Sequence, residues 1–415
     1  MPGKIPGDEW PVRLRIVAPK LENKIDNIYR IWSLAAIDPC ALITLRRGAD
    51  DMGTFSSALD RPLRTAAVIA TEDEAITAAE TIANVFDLRD ESSGTAVARL
   101  DLLSRSGLLG ISVPTEHGGI DVSNTILATI CAEAAARSPA LGEIVAAHFA
   151  VIEHVRTYGT EGQRNAVFSA ALAGARLARA APRRVGEDME ALALTASGLA
   201  WRLNGDALCT PCTRHADWVL VPTRNEAGKR AGLLLPARID GLRYVANTCE
   251  PTDGAQPPEQ VLLKDVPVEG DTLLHETSDA SRPAVPHALD LLLAASLQLG
   301  AARRAFAAAV DAPDAAPLTV GLFGARLAAA DAMMAEGGRA IDAAQIGLAD
   351  QHRTNAFLAA AAALAVAQEA GRTIDAVLAG QAEPGLGLSQ QAVAALEESG
   401  RAHLHARRHP ALDDA

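Results

Sequence analysis

From Thr71 onward the chain is written in two hydrophobic rhythms. In TEDEAITAAETIANVF, Ile76, Ala79, Ala83 and Phe86 recur at the three-to-four spacing of one helix face. Thr71 and Glu74 form a capping-box signature at its start. A second helix carries Val97, Leu100 and Leu103 on one face and stops at Gly107. LLGISVPTEHGG is short, closed by a proline and a glycine pair, and reads as a buried turn. Helices over 123–137, 142–158 and 160–174, the last capped by Thr160 and Gln163, complete a helical unit.

The rhythm then turns to β. In LAWRLNGDALCT, Asn204-Gly205 stands between two short runs and predicts a hairpin turn there. WVLVPTRNEAGKRAGLLLPA predicts two strands around a polar loop, and QVLLKDVPV predicts one more. Beyond Arg282 come three long segments, covering about 284 to 380, that are apolar around much of their circumference. Such helices must bury more than one face, as in a four-helix-type bundle packed on itself and on a second copy. The predicted fold is mainly α with a small β domain. Its units are a helical domain over 66–175, a β domain over 176–275 and a bundle over 284–400. Residues 1–65 hold no period and read as a poorly ordered extension, and 401–415 as a His/Arg-rich tail.

Composition narrows the partners. Aromatics make up only 3% of the 415 residues and alanine dominates the apolar ones, which suits close helix packing. A formal charge of −13 without a basic block argues against nucleic acid, whose phosphates need a concentrated basic face. Five irregularly spaced cysteines fit a reducing compartment better than a disulfide framework. The N-terminus has no continuous apolar core of a signal peptide. The longest apolar run, FLAAAAALAVA, is about half of the ~20 residues a membrane span needs. A soluble cytoplasmic protein, not bound to membrane, is expected.

The chemistry-bearing stretch is LCTPCTRHADW, with Cys209 and Cys212 in a C-x-x-C and His215 three residues on. A metal site, a redox pair and a strand edge with incidental cysteines are all compatible with these residues alone.

The helical–β–helical order over 71–413 resembles the acyl-CoA dehydrogenase superfamily, and LDLLSRSGLLGISVPTEHGGIDVSN resembles its GLLGI-x-VP segment with a following glycine pair. SPALGEIVAAHFAVIEHVRTYGTEGQR, WRLNGDALCTPCTRHADWVLVP and the worn tail ARRHPALDD resemble the branch containing dibenzothiophene monooxygenase and the sulfur-acquisition oxidoreductases. The resemblance implies an acyl-CoA dehydrogenase-like fold whose middle domain is a mostly antiparallel barrel, so that a parallel sheet would exclude it. It implies a monooxygenase using reduced FMN (FAD in the alternative) and oxygen on a small organosulfur-type substrate. A flavin reductase and a homodimer or homotetramer are the implied partners.

The same resemblance supplies the site residues. His148 matches a flavin-proximal histidine, and His409 the first histidine of the tail motif, whose second is replaced by Leu412. Ala180, Cys209 and Thr210 fall on the strand edges that face the flavin, with Phe149 and Ile152 in the substrate pocket. On this alignment the cysteines are incidental and no metal is expected. Zinc would need four ligands, and the plausible fourth, Cys249, is far away. A thioredoxin-like pair would need a βαβ pattern around it.

Two segments depart from the family. LARAAPR (177–183) stands where relatives carry FGNAFSE, bringing Arg179, Pro182 and Arg183, and TDGAQPPEQV brings Pro257 and Pro258 to a segment that usually orients the ring and phosphate. These changes remove donors, and Arg179 or Arg183 pairing with a phosphate is the available compensation. They keep open a non-catalytic relative serving as a structural subunit. An FAD-dependent acyl-thioester dehydrogenase is a third reading, disfavoured because no glutamate holds a recognisable base position; Glu369 falls on the polar stripe of its helix.

Overall fold

The computed structural model describes residues 65–87, 96–182, 184–185, 188–189, 192–197, 200–224, 230–245, 259–275, 283–347, 349–384 and 387–408. The extension before residue 65, Arg183, Cys249, Pro257, Pro258, His409 and Leu412 lie outside them.

The first unit is helical: α1 (Glu72–Val85), α2 (Ala96–Arg105), α3 (Asn124–Arg137), α4 (Pro139–Tyr158) and α5 (Glu161–Leu172). Thr71 caps α1 by accepting the Glu74 N–H, but the Glu74 carboxylate accepts from Ala70 rather than from Thr71, one residue beyond a reciprocal box. Thr160 and Gln163 close the full box at α5. On α2, Leu100 and Leu103 are buried as expected, whereas Val97 is 47% exposed. α4 starts at Pro139, with Ser138 as its cap, three residues before the expected start. The buried turn is two short 3-10 pieces over Leu108–Gly110 and Thr115–His117.

The second unit is a mixed sheet. Its strands are β1 (Leu177–Pro182), β4 (Ala193–Ser197), β5 (Ala200–Cys209), β6 (Trp218–Arg224), β7 (Arg230–Pro236), β8 (Leu242–Val245), β9 (Glu259–Val268) and β10 (Leu273–His275). A separate two-residue pair, β2 (Arg184–Val185) and β3 (Asp188–Met189), stands beside it. The order is β10-β7-β6-β1-β5-β9-β8, with β4 on β5 and β6.

Two expectations need correcting here. Most ladders are antiparallel, but β1 runs parallel to β6 over Leu177–Arg179, and β4 meets β6 in one parallel pairing. Parallel pairing therefore occurs within this fold, so its presence does not exclude the resemblance. Asn204-Gly205 is not a hairpin turn. It lies inside β5, opposite a bulge on β9, where the register shifts between Leu203 and Gly205. Asp265 takes a φ of 52° there, and the Asn204 side chain accepts its N–H at 2.8 Å. The bulge absorbs the left-handed residue that the dipeptide would otherwise place in a turn.

The third unit holds α6 (Val285–Asp311), α7 (Pro317–Ile346), α8 (Asp350–Leu378) and α9 (Gln390–Arg408). The three long helices fall where the pattern put them. α9 continues through 401–408, which read as tail. α7 and α9 cross at near backbone contact: a Cβ on Gly321 would stand 1.8 Å from the Leu396 carbonyl oxygen, and one on Gly400 1.8 Å from that of Pro317. By length and hydropathy α6 and α7 could each cross a membrane, contrary to the estimate from the single longest apolar run. In α6, 83% of the apolar window is buried inside the protein, as for a core helix; in α7 the share is 39%.

Candidate functional site

All three units meet along α4 and β1. His148 on α4 is 1% exposed. Its Nδ1 accepts the Leu177 N–H at the start of β1, so Nε2 carries the proton and donates to the Leu109 carbonyl at 2.8 Å. Burial drives its pKa down to about 4, against smaller upward pulls from the Leu109 hydrogen bond and Asp217. It is a neutral imidazole with both nitrogens committed to backbone. In this arrangement His148 staples α4, the buried turn and β1 together.

Two residues along β1, the Arg179 guanidinium enters the same seam. Nη1 donates to Asp290 Oδ1 at 2.5 Å and Nη2 to Oδ2 at 2.9 Å, a bidentate pair with side chains 9% and 2% exposed. Burial alone would raise the Asp290 pKa; Arg179, His154 and His287 around it outweigh that and hold it below the usual carboxylate range. Arg179 is therefore committed to α6 rather than held out as a phosphate partner.

Ala180, Cys209 and Thr210 do come together. Ala180 and Cys209 are cross-strand partners, but both are buried in the sheet's own core. The Thr210 hydroxyl lies 3.2 Å from that of Thr213 and accepts the Arg179 N–H at 3.4 Å. The crevice beside them, between Ile144, Arg176, Thr210 and Cys212, has about 10 Å³, room for one water at most. Phe149 and Ile152 are fully buried packing residues and line none of the described clefts. Among the described residues no His, Cys, Asp and Glu cluster could hold a metal. On α8, Glu369 is half-exposed and paired with Arg372.

The space lies on the other face of α4. A cleft of about 610 Å³ opens where α4 and α5 meet the start of α6 and the α7–α8 turn. Glu153, Arg156 and Thr157, at helical i, i+3, i+4 spacing, present one side of α4 to it. Arg156 is held by Asp121 in a bidentate pair at 2.7 and 3.0 Å. Arg164 and Arg353 stand across from it, with Phe168, Val285 and Ile346 as the apolar wall. The buried Arg164 Nε has no hydrogen-bond partner among the described residues.

Glu153 is 4% exposed. It accepts from Gln345 Nε2 at 2.9 Å and from the Thr157 hydroxyl at 3.0 Å. Burial pushes its pKa up to about 7 against the pull of Arg156, Gln345 and Thr157. The sequence reading missed this residue. The available signal was a lone carboxylate inside IVAAHFAVIEHV, an otherwise apolar helix; Asp290 in HALDLLLAAS carries the same signal.

The fold is of the acyl-CoA dehydrogenase type. Residues 72–175 match the family of the acyl-CoA dehydrogenase N-terminal domain. No curated protein matches it by sequence. Among solved structures, FMN-bound TdsC from Paenibacillus sp. A11-2 is 20% identical, with a TM-score of 0.64 over 80% of this chain and 92% of that one. The same protein is described as a dibenzothiophene monooxygenase. Methanesulfinate monooxygenase MsuC from Pseudomonas fluorescens is 18% identical, with a TM-score of 0.63 over 84% and 98%. A nitrososynthase from Micromonospora carbonacea var. africana is 18% identical, with a TM-score of 0.61 over 85% and 99%. At these identities the likeness is one of fold.

Proposed function

We propose that the protein is a flavin-dependent oxidoreductase working as a monooxygenase, in which reduced FMN and oxygen act on a small organosulfur-type substrate. A separate flavin reductase supplies the reduced cofactor, and the cytoplasm is the compartment. The observation that carries the reading is the 610 Å³ cleft between the first helical unit and the bundle. It falls within the ~300–1,000 Å³ of small-molecule sites. The fold is one in which TdsC is solved with FMN and with FMN and indole together.

The two candidate places fit a flavin unequally. The edge at Ala180, Cys209 and Thr210 does not fit: its side chains are buried, its crevice holds at most a water, and Arg179 closes the seam against Asp290. The cleft fits. Ile346 offers an apolar surface for a ring, and Arg164 and Arg353 offer guanidinium donors for a phosphate. Its volume suits a mononucleotide better than a dinucleotide, which favours FMN over FAD. Bound there, reduced flavin would supply the electrons that activate oxygen. The chain's own residues bind, orient and exclude water.

The closed strand edge and the committed His148 favour one other reading, a non-catalytic relative acting as a structural subunit. Anaerobic titration with reduced FMN separates the two. Saturable binding, followed by a transient absorbance change when oxygen is admitted, supports the monooxygenase. No binding near a millimolar leaves the structural subunit. Dependence of turnover on an added reductase then separates the monooxygenase from an FAD-dependent acyl-thioester dehydrogenase.

A further inference from the structure

We infer that Glu153 is the proton-exchanging residue of the cleft, and that Asp342, Asn124 and Gln345 are the positioning residues that aim its carboxyl. The inference rests on the reading of this cleft as the place of chemistry.

The argument is one of forced orientations. Asp342 Oδ1 accepts both the backbone N–H of Asn124, at 2.9 Å, and its side-chain Nδ2, at 2.6 Å. That fixes which way the Asn124 amide faces, because a carboxylate only accepts. The same Nδ2 donates to Gln345 Oε1 at 2.9 Å, so the other end of that amide, Nε2, must be the atom turned to Glu153. Asp342 thereby sets Asn124, Asn124 sets Gln345, and Gln345 delivers a donor to Glu153 Oε2 while Thr157 delivers one to Oε1. The chain spans α7, α3 and α4 and ends on the floor of the cleft.

A network that only pinned helices together would work as well with an amide at 153, and burying a carboxyl instead is costly. What the carboxyl adds is a proton site. Two fixed donors favour the ionised form and burial favours the protonated one. The balance sits near neutrality, where an acid–base group is most effective. The charged and titratable groups around it are Arg156 on its own helix, Asp121 bound to that arginine, and Glu116 and His117, which line the cleft from the turn before α3. Glu161 and Arg164 face it from α5, and Arg353 from α8. In the step proposed, an X–H group of the bound molecule gives its proton to a Glu153 oxygen, or the protonated carboxyl returns it. One proton moves, no electrons move, and the charge is conserved.

The test is carbodiimide labelling of the full chain with glycine ethyl ester as trapping amine, read by peptide mapping between pH 5.5 and 8.5. Carbodiimide attacks protonated carboxyls that small molecules can reach. Glu153 should label, with a midpoint near pH 7 and a rate falling about tenfold per pH unit above it. Glu153→Gln should remove that label, and saturating FMN should protect it. Asn124→Leu frees the Gln345 amide to turn its donor away, and the midpoint should move upward. A structural carboxyl would not label at any pH, or its midpoint would stay fixed in Asn124→Leu, and either result overturns the inference. Normal pH-dependent labelling without FMN protection would instead count against FMN in the cleft and leave the proton-exchange assignment supported.

Discussion

The buried pair of Arg179 and Asp290 gives a prediction with a definite sign pattern. Removing one partner strands a charge in a seam where the survivor has almost no water contact. Breaking a buried ion pair this way costs about 3–5 kcal/mol, whereas replacing both partners by apolar groups of similar size is often neutral or stabilising. Arg179→Met and Asp290→Leu should therefore each cost about 3–5 kcal/mol, and the double variant about 1 kcal/mol or less. The cycle then has a coupling several times larger than that of an exposed pair. Asp290 also faces His154 and His287. In Arg179→Met those imidazoles can take up a proton and compensate, so its loss should be smaller at pH 6 than at pH 8. Asp290→Leu should not share that dependence. The assay is urea unfolding of the four proteins by circular dichroism at both pH values. Additive single losses would refute the reasoning, because they would mean that neither side chain needs the other.

Three further predictions rest on other features. His148→Ala should cost about 3 kcal/mol or more, because it strands the Leu109 carbonyl and the Leu177 N–H and opens a core cavity; urea unfolding reads it. As the folded pKa of His148 is depressed, its contribution to stability is full above the unfolded value of about 6.5 and is lost as pH falls through about 4; the acid limb of wild-type stability should flatten in His148→Ala. Gly321→Ala should push α9 off α7 at a cost of about 1–3 kcal/mol, seen as faster amide exchange confined to 390–408. Leu358 at 60%, Leu378 at 53% and Ile346 at 83% exposure leave apolar surface along α8 and the end of α7, and the proposed homodimer or homotetramer would cover it. Sedimentation should detect that assembly at micromolar concentration, and a stable monomer would contradict it.

The fold was legible wherever apolar periodicity was strong. Ala79 and Ala83 on α1, Phe86 at its C-terminal cap, the strands on either side of residues 225–229 and the three long helices all lie where the pattern puts them. The misreading at Asn204-Gly205 has a physical cause: a dipeptide suited to a tight turn is equally suited to sit opposite a bulge, and long-range pairing with β9 decides between them. The site was less legible. His148 stands on the helix that borders the cleft, but what it does depends on Leu109 and Leu177, which no local pattern brings to it. Phe149 lies one turn before Glu153 on the same side of α4, yet it and Ile152 are wholly taken up in packing. Asp342, Asn124 and Gln345 are ordinary polar positions until the helices bearing them are packed together.

Four consecutive residues, 176 to 179, have a consequence for how the molecule comes together. The Arg176 guanidinium bonds the Leu100 carbonyl and the Ser104 hydroxyl on one side and the His215 carbonyl on the other. Leu177 bonds His148, and Arg179 reaches Asp290, 111 positions further along the chain. The helices can gain much of their order from neighbours close in sequence, but these bonds close long loops and are rewarded only after that entropy has been lost. The entry of β1 is therefore the natural last piece to seat during folding. Damage there would leave three largely formed bodies that no longer know their places, an assembly fault rather than a local one.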